Sequence, residues 1–251
     1  LNVRRQRQMC IRDRKIISPD LTTNDKKLRN TSNGGGLTNS NTGGENHFTI
    51  ITISDTPIDT TLIWVGTDDG NVQVTRNNGN SWENVKNNID GVPEKIWVSR
   101  VEASKHSKGR AYVSFDNHRF DDNKPYVFIT EDYGKTWSNI SSNLPQDYSV
   151  YVIKEDYVDE NLLFVGTEKS VYFSNDRGTT WEKLGSNLPT VAIHDLVIHP
   201  RDGDLVAGTH GRSIWILDDI SPLRFLNEKE DNLLPTRIST KWVKILSLIH
   251  I

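Results

Sequence analysis

The octets TRNNGNSW at 75–82, TEDYGKTW at 130–137 and SNDRGTTW at 174–181 are one motif written three times, Ser/Thr-x-Asp/Asn-x-Gly-x-Ser/Thr-Trp. Their closing residues Trp82, Trp137 and Trp181 stand 55 and 44 residues apart, so a structural unit of that size recurs. Each position has a physical reason. Gly79, Gly134 and Gly178 can take a positive φ in a tight turn without a Cβ clash. Asn77, Asp132 and Asp176 can accept hydrogen bonds from turn N–H groups that a strand ladder leaves unpaired. The hydroxyls of Thr75, Thr130 and Ser174 add local bonds, and each Trp can wedge between sheets. The motif therefore reads as a staple that builds a turn between two strands, and not as a set of catalytic groups.

Working outward, each octet is preceded by a β-rich run: LIWVGT (62–67), AYVSF (111–115) and LLFVGT (162–167). Each is followed by a similar exit: NNIDGVP (87–93), SSNLP (141–145) and GSNLP (185–189). A fourth copy, LVAGTHGRSIWIL (205–217), keeps the strand pair but has no octet. Apolar 3.6-residue periodicity is nearly absent. The layout predicts an all-β chain: a β-propeller fragment of about four four-stranded antiparallel blades over 47–220. Inner strands are expected at 47–54, 96–104, 149–155 and 191–198, and blade four has three legible strands, the last at 212–217. Residues 15–46 read as the end of a preceding blade and a Gly/Asn-rich loop, TSNGGGLTNSNTGGEN (31–46). Residues 221–244 read as a connector towards a further domain.

The 251 residues are 35% hydrophobic and 25% charged, with aromatic residues enough to fill a core. No run of about 18 apolar residues could span a membrane, and no signal-peptide pattern opens the sequence. Residues 1–14, including QRQMCIRDR, and 245–251, including LSLIHI, resemble translated sequencing-adapter tracts and are expected to lie outside the fold. Residues 1–14 carry five Arg and one Asp, so the remainder has a formal charge of −7 and no cysteine. An acidic body argues against a nucleic-acid partner. Freedom from cysteine fits a secreted, periplasmic or cell-surface protein.

With the octets, their flanks and stretches such as WVGTDDGNVQVT, PYVFITEDYGKTW and LVAGTHGRSIWILDDISPL in view, the chain resembles the Asp-box (BNR) repeat proteins. Within them it is most similar to the bacterial sortilin N-terminal-like propellers, which are often labelled glycosyl hydrolases. The resemblance covers roughly residues 16–226 and implies more than four blades in such proteins. Asp boxes also occur in sialidases, xyloglucan-degrading glycosidases and photosystem II assembly factors. Activity therefore does not follow from the box.

In such blades the boxes share one face, and the second-to-third-strand turns open on the other. Those turns carry Asp68-Asp69, the stretch FDNHRFDDNKP (115–125), Glu168-Lys169 and His210-Gly211-Arg212. The expected ligand-binding residues are Asp69, Arg100, Asp116, His118, Arg119, Asp122, His210 and Arg212, with a protein or a carbohydrate as partner. The 115–125 stretch reads either as a binding loop or as a solvated insertion. On the inner strands, Arg100 and Glu102, and His194 and Asp195, read as ion pairs bridging blades in preference to a ligand site. Glycoside hydrolysis would need two carboxylates across the scissile bond; Asp69, Asp116 and Asp122 could supply them, but no motif selects them. No Tyr–Glu nucleophile pair accompanies Arg100, Arg119 and Arg212. No cofactor is called for: Asp202-Gly-Asp204 is too short for a calcium loop, the seven His lack ligand spacing, and no phosphate-binding Gly-rich loop is present. The expectation is a binding propeller. The alternatives are a glycoside hydrolase with blades missing and an assembly-factor-like module that docks a peptide.

Overall fold

The computed structural model describes residues 15–24, 48–94, 96–185 and 187–226, together with the backbone of 242–245. The basic stretch 1–14, the Gly/Asn-rich loop and residues 246–251 lie outside the described residues. Four antiparallel four-stranded sheets follow one another, each with its strands in chain order from inner to outer. Blade one is β1 (Ile50–Thr56), β2 (Asp59–Thr67), β3 (Val72–Thr75) and β4 (Glu83–Asn84). Blade two is β5 (Trp97–Ala103), β6 (Ala111–Asn117), β7 (Asp122–Thr130) and β8 (Ser138–Asn139). Blade three is β9 (Val150–Glu155), β10 (Leu163–Thr167), β11 (Val171–Ser174) and β12 (Glu182–Lys183). Blade four is β13 (Ile193–Ile198), β14 (Leu205–Thr209), β15 (Ile214–Leu217) and β16 (Trp242–Ile245).

That last strand differs from the sequence reading. Trp242–Ile245 fall in the stretch taken for a connector and the first residue of the tail, yet they pair antiparallel with β15, Ile214 opposite Ile245 and Leu217 opposite Trp242. The outer strand of blade four thus arrives from more than twenty residues downstream, beyond the reach of a local turn signal. The stretch between begins with a short helix, Ser221–Arg224, whose Arg224 forks onto buried Asp156 at 2.7 and 3.0 Å and ties it to blade three.

Every box works as its residue types require. Gly79, Gly134 and Gly178 have φ of 86°, 84° and 86°, and their N–H groups donate to the hydroxyls of Thr75, Thr130 and Ser174. The side-chain oxygens of Asn77, Asp132 and Asp176 accept from the N–H of Ser81, Thr136 and Thr180 at 2.8–2.9 Å. Asp132 and Asp176 also accept from the Thr136 and Thr180 hydroxyls, whereas in blade one the Asn77 amide donates to Ser81. Partial burial pushes the Asp132 and Asp176 carboxyls up, but these donors outweigh it and hold both below the usual carboxylate value. Such turns spend their polar groups on themselves.

The tryptophans are less uniform than their spacing suggests. Trp181 is buried and donates its Nε1–H to the Ile140 carbonyl of the preceding blade at 2.7 Å. Trp82 makes the same bond to Ile17 at 2.9 Å but is half-buried. Trp137 is also half-buried; its N–H turns to the Gly134 carbonyl and its ring meets Trp64 edge-on at 6.1 Å. Ile17 and Leu21 have the four-residue spacing of Val85 and Ile89, Ile140 and Leu144, and Leu184 and Leu188. Residues 15–24 thus sit on blade one as each blade's exit sits on the next.

Apolar side chains between successive blades form three core clusters, one at each junction. All four inner strands carry a β-bulge at the same place. The residue left without a ladder partner is Ile51, Ser99, Tyr151 or His194. A bulge re-aims its side chain, and here it does so where the inner strands begin, at the end of the axis away from the boxes.

Candidate binding face

At that end the bulges of blades three and four bring Tyr151 and His194 together, their rings stacked at 4.6 Å and 17°. His210, from the β14–β15 turn, meets His194 edge-on at 5.2 Å. His118, from the β6–β7 turn, meets Tyr151 edge-on at 6.3 Å. The four rings form a row across blades two, three and four. Arg119 lies next to it with its guanidinium 3.4 Å from the ring centre of Trp97, at the start of β5.

Local structure explains how the row is held. The β6–β7 turn is no open insertion: the strands continue to Asn117 and resume at Asp122, with one turn of 3-10 helix, His118–Phe120, between them. Asp121 takes φ of 60° to close that turn. Asp116 is buried and accepts from the His118 backbone N–H at 3.1 Å and from its Nδ1 at 2.6 Å. Asp122 accepts from the Asn117 amide at 3.0 Å and the Tyr126 hydroxyl at 2.7 Å. Burial raises its pKa, but these donors outweigh it and keep the carboxyl low.

The electrostatics keep two members of the row neutral. Burial first, then the charges of Asp116 and Glu168, push the Tyr151 phenol up to about 12. Burial, then His210, lower the His194 pKa, with His118 adding and Asp116 opposing. At neutral pH both rings present hydrogen-bonding edges without charge.

Of the residues expected from sequence, Asp116, His118, Arg119 and His210 come together here. Asp69 is occupied elsewhere: it accepts from the Thr23 N–H at 2.6 Å and hydroxyl at 2.8 Å, and from the Thr67 hydroxyl, fixing the 15–24 segment. Asp122 holds the hairpin that presents His118. Arg100 pairs with Asp195 of blade four at 2.7 Å, while Glu102 binds Lys105 at 2.6 Å and Lys154 at 2.7 Å. Arg100 and Glu102, close in sequence, thus serve separate ion pairs. Arg212 is exposed on the β14–β15 turn, and its carbonyl accepts from Trp215 Nε1. Sequence reasoning did not bring Tyr151, Trp97 or His194 into this row. Tyr151 and His194 share the position one residue beyond the apolar start of their inner strands, Val150 and Ile193, and that shared position was the available signal.

The opposite face is a contrast. Between blades two and three a cleft of about 480 Å³ is lined by Glu131, Thr136, Asp176 and Arg177. Its charges are matched: Arg110 pairs with Glu131 at 2.8 Å and Glu160 at 2.7 Å, and Arg177 with Glu160 at 3.1 Å. Among the described residues no group of three His, Cys, Asp or Glu side chains is placed to hold a metal ion, and no helix is long and apolar enough to cross a membrane.

The family model described as sortilin, neurotensin receptor 3 (Sortilin-Vps10) matches residues 125–221. No curated protein sequence matches. Among solved structures, YCF48 bound to D1 peptide is 20% identical with a TM-score of 0.51, over 68% of this chain and 51% of that one. The GH74 xyloglucanase of Xanthomonas campestris is 20% identical with a TM-score of 0.51, over 64% and 26%. The GH74 enzyme of Niastella koreensis is 10% identical with a TM-score of 0.55, over 78% and 30%. The chain is a β-propeller. It spans about half the length of the YCF48 chain and under a third of the two GH74 chains. At these identities the likeness carries the propeller's architecture and nothing of its chemistry.

Proposed function

We propose that this propeller is a non-catalytic binding module that takes a peptide segment of a protein partner on the face opposite the Asp boxes. The observation that carries the reading is the row His118, Tyr151, His194 and His210, built by bulges and turns from three blades and kept neutral at its centre. Rings and a guanidinium on a rigid scaffold suit peptide recognition: they offer contact area with little side-chain entropy to lose. The faces of Tyr151 and His194 are spent on each other and Trp97 lies under Arg119, so the ring nitrogens and the phenol are what this row offers a ligand. A peptide backbone matches such groups better than the flat face of a sugar does. The likeness to a YCF48 chain solved with a peptide agrees with this reading.

The second reading, a glycan-processing propeller, draws on the likeness to GH74 enzymes. Against it stands the occupation of the three candidate carboxylates, since Asp69, Asp116 and Asp122 each already accept two or more hydrogen bonds. The test is to probe arrays of short random peptides and of cell-wall oligosaccharides with the protein and with Tyr151→Ala. Peptide signals that Tyr151→Ala abolishes are expected. Oligosaccharide signals alone, or peptide signals indifferent to Tyr151, would overturn the proposal.

A further inference from the structure

One place recurs where each second strand passes the entry to its inner strand. It follows the ladder pairs Ile50–Thr67, Val98–Phe115, Val150–Thr167 and Ile193–Thr209. Asp68, Glu168 and His210 fill it in blades one, three and four, their N–H groups donating to the carbonyls of Thr49, Ser149 and Ala192. In blade two it is Asp116, opposite Trp97 in the ladder. The repeat thus sets one polar residue per blade on the face opposite the boxes. Asp68 is spent within its own blade, where it accepts the Thr49 N–H at 2.8 Å.

Asp116 is joined to a side chain that reaches the surface. Its carboxylate, 7% exposed, takes the His118 N–H on Oδ1 and the His118 ring on Oδ2. No Lys or Arg among the described residues pairs with it; the adjacent Arg119 lies on Trp97 instead. A buried carboxylate is costly without its donors, so the ring is held in one orientation. A carboxylate accepts and does not donate, so the neutral imidazole carries its proton on Nδ1. That leaves Nε2 with a bare lone pair, on a side chain 43% exposed and with no hydrogen-bond partner for Nε2 among the described residues.

We propose that Asp116 is a positioning residue of the binding face: it fixes the His118 tautomer so that Nε2 accepts a hydrogen bond from an N–H of the bound peptide. The inference rests on the peptide reading of this face and names the group that the peptide must bring to it. Tyr151, edge-on to His118 at 6.3 Å, keeps its phenolic proton, with a pKa of about 12. An acceptor and a donor therefore stand on neighbouring rings, and every peptide unit but that of proline supplies an N–H and a C=O to match. With its proton on Nε2, His118 would face that N–H donor to donor.

Two-bond 1H–15N correlation spectra of the histidine-labelled protein at about pH 8, where an ordinary imidazole is neutral, read the tautomer directly. Wild-type His118 should show Nδ1 protonated and Nε2 bare. In Asp116→Asn the amide oxygen can keep the His118 N–H while its NH2 turns to Nδ1, so the proton should move to Nε2. Isothermal titration of an array-selected peptide should show binding weakened at least about tenfold by Asp116→Asn and by His118→Ala. In the His118→Ala background Asp116→Asn should add nothing, since the carboxylate acts through the ring. A residue that only braced the turn would shift thermal melting and leave tautomer and affinity unmoved. The wild-type spectrum and His118→Ala decide the matter even where Asp116→Asn lowers stability. A wild-type His118 protonated on Nε2 would overturn the proposal. So would binding that needs Tyr151 but ignores Asp116→Asn or His118→Ala, or losses that add in the double variant; each leaves the peptide reading standing. A wild type that binds no peptide removes that reading and this inference with it.

Discussion

Replacing Trp181 with Ala empties the largest side-chain volume at the junction of blades two and three. The indole is 3% exposed, packed among Ile140, Leu144, Val150 and Tyr112, and its N–H donates to the Ile140 carbonyl at 2.7 Å. Large-to-small changes of this kind cost about 3–5 kcal/mol, the emptied volume and the lost transfer energy acting together. The stranded carbonyl keeps the value in the upper half of that range, since an unpaired buried acceptor costs about 1–3 kcal/mol. Trp82 holds the equivalent place in blade one but is half-buried, so Trp82→Ala should cost about 1–2 kcal/mol, in proportion to the apolar area it covers. Urea unfolding followed by far-UV circular dichroism reads both, with an unchanged m-value as the condition for comparing midpoints. A loss below about 1 kcal/mol for Trp181→Ala, or equal losses at the two positions, would refute the reasoning that the box tryptophan is a wedge between blades.

The box carboxylate should be replaceable by its amide: Asp176→Asn should cost less than about 1 kcal/mol, because Asn77 already makes the same turn, while Asp176→Ala should cost about 1–3 kcal/mol. The same urea titrations decide it, and equal losses for Asn and Ala would contradict the hydrogen-bond account. His194, whose pKa burial and His210 hold below 6.5, binds fewer protons folded than unfolded. Its contribution to stability is therefore complete above 6.5 and falls as pH drops from 6.5 through the depressed folded value. His194→Gln should flatten stability against pH in that window, and an unchanged slope would count against an imidazole kept neutral by its neighbours.

The octets made the blades legible because the turn they build is chemically demanding: only a residue tolerant of positive φ fits at Gly134, and only a short acceptor fits at Asp132. The β6–β7 turn was legible as an outlier, and His118, Arg119 and Asp116 do meet there. Asp69 and Asp122 were legible as acidic turn residues, but their hydrogen-bond partners, Thr23 and Tyr126, decide that they brace the fold. Tyr151 and His194 were hidden because a bulge breaks the two-residue alternation from which strand faces are read. The edge strand Trp242–Ile245 was hidden because a long connection separates it from the β15 ladder it completes.

The central claim is that ligand is held on the face opposite the Asp boxes. Isothermal titration of an array-selected peptide into the wild type, Tyr151→Ala and the box-face variant Thr179→Ala tests it directly. The account predicts binding weakened at least about tenfold by Tyr151→Ala, as expected for a central aromatic contact, and unchanged by Thr179→Ala. Binding that survives Tyr151→Ala and falls with Thr179→Ala would move the ligand to the cleft between blades two and three and contradict it.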